Sequence, residues 1–391
     1  MQPLRTKTLC LVSLVAALTF QSRPVEAGDN LVFFGSHSVG PGLGISVAHF
    51  DSVSGALTKP ELVVEAAAPA FFVLHPDGRH LYTCNSNDFS RGWTGETVSA
   101  YAIDARNGGL TLLNQQSSGG ADPSYVTLDA ASRHLLVANY QGGSVAVLAI
   151  NPDGSLGKRT AFVQHTGSSV NATRQTQPYA HSVKLDPANR FALVADLGVD
   201  KVFVYRFNMK DGSLQPNDPP FVKVAPGSGP RHIAFHPRRD LVDLINEMAS
   251  TIIAYAWDSK KGSLAELQTV STLPAGFAGT NACAEIEVHP NGRFLYGSNR
   301  GHDSLAVFAI DETTGKLSLI EHVPTQGQKP RNFAFDRTSQ WLIVTNHGSD
   351  NAVVFRVDAE TGRLTPIGRP VSVLSPFCVR FLSIPSTPSG R

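Results

Sequence analysis

The stretch ACAEIEVHPNGRFLYGSNRGHDSLAVFAIDETTGKL, residues 282–317, decides the fold, because it is one copy of a phrase that runs the length of the chain. It contains an apolar run, a turn with Pro, Asn and Gly, a second run ending in Asn, a polar loop, a third run, and the turn ETTGKL. Short β-rich runs bounded by such residues are strands, and the punctuation between them marks hairpins. The closing turn recurs as SVSGAL ending at Leu57, ARNGGL at Leu110, NPDGSL at Leu156, MKDGSL at Leu214, SKKGSL at Leu264 and AETGRL at Leu364. A period of about 50 residues denotes stacked or radial supersecondary units. The opening runs recur in step, among them DPSYVTLDAASRHLL, PYAHSVKLDPANRFALV, GPRHIAFHPRRDLVDLI and KPRNFAFDRTSQWLIV. A weaker fourth run follows each G-x-L turn. Four antiparallel strands per unit, seven times over, specify an all-β chain folded as a seven-bladed β-propeller. No segment offers an amphipathic helix long enough to compete.

The seventh unit is divided between the chain ends. Its first strand lies in SPFCVRFL at residues 375–382, while NLVFFGSH and GISVAHF open the other end. Pairing of the N- and C-terminal strands should close the ring and leave no long unpaired edge.

The repeat covers nearly everything after residue 30 without a linker, so residues 28–391 form one propeller domain. Residues 1–27 have the make-up of a signal peptide: two positive charges before Thr8, an apolar run to Phe20, and Val25-Glu26-Ala27 as a small-x-small cleavage site. The run is too short to span a bilayer. The sequence therefore predicts export to the periplasm or the extracellular space, with no membrane attachment once the leader is gone. Lys and Arg total 33 against 32 Asp and Glu, so no global field draws in nucleic acid. A small-molecule partner and a monomer are expected. Cys84, Cys283 and Cys378 are an odd set without close spacing, and read as buried thiols rather than a disulfide framework. G-x-S-x-G, H-E-x-x-H, C-x-x-C and the phosphate loop are all missing, which leaves serine-hydrolase, zinc-protease and nucleotide chemistry without support.

In a propeller the first strand of each blade lines the central channel, and its start shares a rim with the loop joining strands two and three. Aligned first strands give one column of Ala70, Ser124, His181, Arg231, Ala284, Arg331 and Phe377, and beside it Phe71, Tyr125, Ser182, His232, Glu285, Asn332 and Cys378. Second strands end in Asn85, Asn139, Asp196, Asn246, Asn299 and Asn346, which read as turn residues bonding their own backbone. The residue after each varies, and becomes Glu247, Arg300 and His347 in consecutive blades. One half of the rim is thus ionisable and the other apolar, the pattern of a small-ligand pocket. Mutual pairing of these charges around a wet channel is the plain alternative. Arg offers a fork matched to carboxylate or phosphate, and His and Glu can move a proton near neutral pH.

Several long segments, ANYQGGSVAVLAI at 138–150, GSSVNATRQTQPYAHSVKLDP at 167–187, GPRHIAFHP at 229–237, INEMAST at 245–251 and AEIEVHPNGRFLYGSNRGHDSLAVF at 284–308, resemble the lactonase family of seven-bladed propellers. That family is typified by the bacterial 6-phosphogluconolactonase of this fold and is related to the fungal carboxymuconate lactonising enzyme. The resemblance spans about residues 30–383. It implies catalytic roles for His181 of A-H-S, Arg231 of G-P-R-H, Glu247 of N-E and Arg300 of S-N-R-G. Two departures are Tyr179, where the family often has histidine, and His347, where it often has glutamine.

The reading that results is hydrolysis of a sugar δ-lactone, phosphorylated or not, without metal or cofactor. Arg231 and Arg300 would hold the anion, and either Glu247 or His181 would activate water. His232, Glu285, Arg331, His347, Arg174 and Tyr125 are candidate substrate contacts. The insertion Gln164 to Gln177, which carries Arg174, is either a lid or a solvated loop. Alternatives are a muconate-type cycloisomerase, a non-catalytic binding propeller, and a metal-dependent lactonase using Glu285, Asn299, Asn346 and Asp196 as oxygen ligands.

Overall fold

The computed structural model describes residues 29–38, 40–86 and 95–383, so the expected leader over residues 1–27 lies outside the described residues. Among the described residues there are 29 strands, no α-helix, and one 3-10 turn at His347–Ser349. The strands form seven antiparallel sheets. Six follow chain order with four strands each. In the seventh, β29 (Pro376–Ser383) lies inside β1 (Asp29–Ser36), which pairs in turn with β2 (Gly44–Asp51). The ladder between the two chain ends runs from Asn30 opposite Ser383 to Ser36 opposite Pro376. The expected closure of the ring is therefore present.

The innermost strands are β5 (Phe71–Leu74), β9 (Pro123–Leu128), β13 (Ala180–Leu185), β17 (Pro230–Phe235), β21 (Ala282–Val288), β25 (Pro330–Phe335) and β29. Each touches the next, and β29 touches β5. The outer edge of the first blade is broken into β3 (Ala56–Leu57) and β4 (Glu61–Glu65), both paired with β2. Pro60 stands between them, and proline has no N–H to give a ladder.

Every glycine of the seven G-x-L turns has a φ between 69° and 83°, a left-handed conformation that side chains resist. These turns also pack against the neighbouring blade. Gly55 lies on the Trp341 ring, whose Nε1 donates to the Ser52 carbonyl at 2.8 Å, across the seam between the first and last units. A methyl group at Gly55 would combine backbone strain with a clash against a large buried ring. Gly55→Ala is expected to cost about 2 kcal/mol or more and lower the melting temperature by several degrees. An unchanged melting curve would show that the seam tolerates the turn in another form.

The strand-end Asn residues differ from expectation in their partners. Asn85 donates to Thr97 Oγ1 and Ser99 Oγ, Asn139 to Ser144 Oγ, and Asn246 to Thr251 Oγ1, so they tie strand two to strand three. Asp196 alone among them accepts from the backbone of its own turn, through Gly198 N at 3.0 Å. The amide nitrogens thus bridge the hairpin, while the Oδ1 atoms of Asn85, Asn139 and Asn246 are buried without a hydrogen-bond partner.

One feature recurs where the inner strands begin. On β17 the register passes from Pro230 opposite Asn246 to His232 opposite Ile245, leaving Arg231 as an extra residue. The same irregularity places His181 on β13, Arg331 on β25, Ser124 on β9 and Phe377 on β29 outside the ladder, with a further one at Ala284 and Glu285 on β21. These are β-bulges, which bend a strand and re-aim side chains. Nearly the whole first-strand column read from the sequence consists of bulged residues.

Candidate active site

A cavity of about 330 Å³ opens at the rim where the inner strands begin. His181, Arg231, Glu247 and Arg300 all line it, as do His232, Arg331 and Arg174. The bulge on β17 allows the consecutive residues Arg231 and His232 to face the same space, and that on β25 does so for Arg331 and Asn332. A regular strand would turn one of each pair away.

Glu247 is the centre of the charge cluster. Its Oε1 accepts from Arg174 Nη2 at 2.7 Å, and its Oε2 lies 3.0 Å from Arg231 Nε and 2.9 Å from Arg300 Nη2. Burial alone would raise its pKa, but Arg300, Arg231, His181 and Arg174 outweigh that and hold the carboxyl well below the ordinary range. It is a fixed anion with its lone pairs occupied.

His181 sits 3.9 Å from Glu247 through Nε2, while its Nδ1 is buried without a hydrogen-bond partner. Burial, then the charges of Arg231 and His232, keep its pKa well below that of free imidazole. The ring is therefore neutral at pH 7 and able to accept a proton.

Arg331 has a different environment. Its guanidinium lies 4.1 Å above the Phe377 ring, and no carboxylate pairs with it among the described residues. Burial, then repulsion by Arg300 and Arg231, weakens its hold on its proton, a penalty an anion in the cavity would relieve. Four guanidiniums and two carboxylates, Glu247 and Asp122, line the cavity, so positive charge is in excess.

The insertion is largely exposed, with His165 and Gln175 as its buried residues. Gln175 is fully buried and donates to the Leu197 carbonyl at 2.8 Å, which pins the segment while Arg174 reaches Glu247 and the Tyr140 hydroxyl. Three expected substrate contacts lie one layer back from the cavity wall. Tyr125 is stacked 4.1 Å from Phe71, Glu285 bonds His232 Nδ1 at 2.8 Å, and His347 packs edge-on against Phe377 at 4.6 Å. Their columns are adjacent to the cavity, but Phe71, His232 and Phe377 stand in front of them.

Tyr140 lines the cavity and was not singled out from sequence. Its ring meets His181 edge-on at 5.2 Å, and burial followed by the charge of Glu247 raises its pKa, so the hydroxyl keeps its proton. It follows Asn139 in the same column that yields Glu247 and Arg300, so the repeat register could have found it. The residues considered as metal ligands are engaged locally: Asp196 with His165 Nδ1 at 2.6 Å, Asn299 with Thr272 and Ser304, Asn346 with Thr325 and Asn351. The three thiols are buried and free.

A closed seven-bladed ring with an arginine-rich pocket at one rim defines the class as a β-propeller with a small-molecule site. The sequence matches the family described as lactonase, 7-bladed beta-propeller, over residues 31–381, and the chain belongs to that family. It is 36% identical over 350 residues to the 6-phosphogluconolactonase of Bacillus subtilis (strain 168), covering 90% of this chain and 97% of that protein. It is 34% identical over 310 residues to the 6-phosphogluconolactonase of Formosa agariphila, covering 78% of this chain and 85% of that protein. The solved structure of the periplasmic gluconolactonase of Pseudomonas aeruginosa superposes with a TM-score of 0.85 at 34% identity, covering 92% of this chain and 100% of that one.

Proposed function

We propose that the chain is a lactone hydrolase of the 6-phosphogluconolactonase type that opens sugar δ-lactones after export from the cytosol. The observation that carries the mechanism is the neutral His181 beside a Glu247 immobilised by three guanidiniums. Glu247 is too strongly stabilised as an anion to take a proton from water. His181 is the base, and Glu247 stabilises the imidazolium that forms.

Water attacks the lactone carbonyl as His181 takes its proton. The tetrahedral oxyanion is met by the guanidiniums of Arg231, Arg300 and Arg331, whose excess charge matches negative charge that a neutral lactone acquires only in the transition state. Collapse breaks the ring C–O bond, and the imidazolium returns its proton to the leaving alkoxide. The product is the hydroxy acid, whose ionisation releases one proton. A phosphate or carboxylate on the substrate would occupy one arginine already in the ground state.

Export is supported by the leader-like composition of residues 1–27, and it favours an external sugar lactone over one made inside the cell. The test is a panel of aldono-δ-lactones, phosphorylated and not, followed by proton release with and without chelator. Turnover of at least one lactone, unaffected by chelator, is expected. Failure with every lactone would favour a binding propeller, and turnover of a muconate-type dicarboxylate alone would favour the cycloisomerase reading.

A further inference from the structure

A buried chain of hydrogen bonds leads away from Arg231 and crosses three blades before it ends on the ring-closing strand. Arg231 Nη1 lies 3.2 Å from His232 Nε2, and arginine can only donate, so Nε2 is the acceptor and the ring proton is on Nδ1. That proton goes to Glu285 Oε1 at 2.8 Å. Glu285 Oε2 accepts from Asn332 Nδ2, and Asn332 Oδ1 accepts from Val379 N at 3.0 Å and Arg380 Nη1 at 2.9 Å. Each donor and acceptor along this path has one permitted direction. Burial brings the pKa of His232 down to about 4, so the ring stays neutral and its tautomer is set by its two partners.

The lactonase reading assigns these residues no chemistry. His232 has both ring nitrogens occupied, and Glu285, Asn332 and Arg380 face it in sequence from β21, β25 and β29. Arg380 is held by its stack 4.8 Å over Phe71, and the same Nη1 that reaches Asn332 also donates to the Val379 carbonyl at 2.7 Å.

Resting on the function proposed above, we infer that Asn332 and Arg380 are positioning residues: through Glu285 and the fixed tautomer of His232, they set the direction in which Arg231 presents its guanidinium to the reacting carbonyl. The inference also makes β29 part of the catalytic apparatus, although it contributes no residue to the proton transfer. Outer partners of metal-ligating side chains, when lost, commonly cost a factor of about ten to a hundred, and the same order is expected for a guanidinium held through a relay of this kind.

The experiment compares Asn332→Ala, Arg380→Met and Arg380→Lys with Asn217→Ala, which removes a buried amide that bonds the Lys261 and Gly262 carbonyls in the SKKGSL turn, far from the channel mouth. Steady-state kinetics on a turned-over lactone are read beside the 15N-histidine spectrum of the substrate-free protein. Asn332→Ala and Arg380→Met are expected to lower kcat about tenfold or more with KM little changed, and to shift the His232 Nδ1 resonance as Glu285 loses its outer partners, while donation from Arg231 keeps the Nδ1–H tautomer. Arg380→Lys should recover part of both effects, and Asn217→Ala should leave both unaltered. An unchanged His232 Nδ1 resonance in the Asn332 and Arg380 variants overturns the proposal, whatever the rates do. An equal loss of kcat in Asn217→Ala also overturns it. Because the resonance is read without substrate, absence of lactone turnover by the unaltered protein would count against the hydrolase reading and not against the relay.

Discussion

Replacing His181 by Asn is expected to reduce kcat/KM for lactone opening by about 10²–10⁴, the usual worth of a positioned base. The asparagine keeps a polar side chain of similar length at the bulge, so the fold and the arginine cluster should persist. Glu247→Gln should act differently. It removes the anion that neutralises Arg174, Arg231 and Arg300, leaving three buried or half-buried like charges facing one another. Breaking such a cluster costs about 3 kcal/mol or more, so this variant should lose stability as well as activity. The pH profile reports the protonation state of the histidine. Only neutral His181 can accept a proton, so kcat/KM falls as pH drops through its pKa. Burial and Arg231 hold that pKa low, which puts the acid limb below the usual histidine range and leaves a plateau through neutrality. Wild-type rates in His181→Asn would remove the histidine from the mechanism. An acid limb above the usual histidine range would contradict its neutral state.

The second large effect concerns closure of the ring. A chain ending at Ser375 lacks β29 and should fail to reach a cooperative folded state. Phe377, Val379 and Leu382 are buried on that strand. At roughly 1.5–3 kcal/mol each, their loss alone approaches the net stability of a typical domain, about 5–15 kcal/mol. The loss also exposes the inner edge of β1 over the whole ladder from Asn30 to Ser36, an open template for association. Size-exclusion chromatography and thermal denaturation of the truncated chain should report aggregation or an early, broad transition. A truncated protein that melts like the full chain would mean that the remaining six blades close without it.

Most of the architecture is legible in the sequence because the repeat is regular and each strand and turn is encoded locally. The turn glycines and the split blade map onto the structure, as do the rim positions of His181, Arg231, Glu247 and Arg300, whereas the strand-end Asn residues keep their places but bond across the hairpin instead of to their own turn. The details that escape are those that depend on register. Nothing in GPRHIAF announces that Arg231 lies outside the ladder, since a bulge depends on how β17 meets β18 (Leu241–Asn246) rather than on its own residues. For the same reason Tyr125, Glu285 and His347 look like wall residues in an alignment but stand behind other side chains. Tyr140 escapes because only Glu247, Arg300 and His347 stand out as charged or basic members of its column, although the column itself supplies the tyrosine.

The bulges have a consequence for how such a ring can change its substrate. A residue set outside the ladder contributes no strand pairing through its own backbone, so its side chain can be exchanged at little cost to the sheet. Ser124, Ala284 and Phe377 occupy the same structural socket as His181, Arg231 and Arg331. The mouth of the channel is thus a turret of interchangeable stations on a fixed frame, three of them now armed with histidine or arginine and three with small or apolar groups. New specificities should be reachable by rearming the quiet stations while the scaffold beneath them stays as it is.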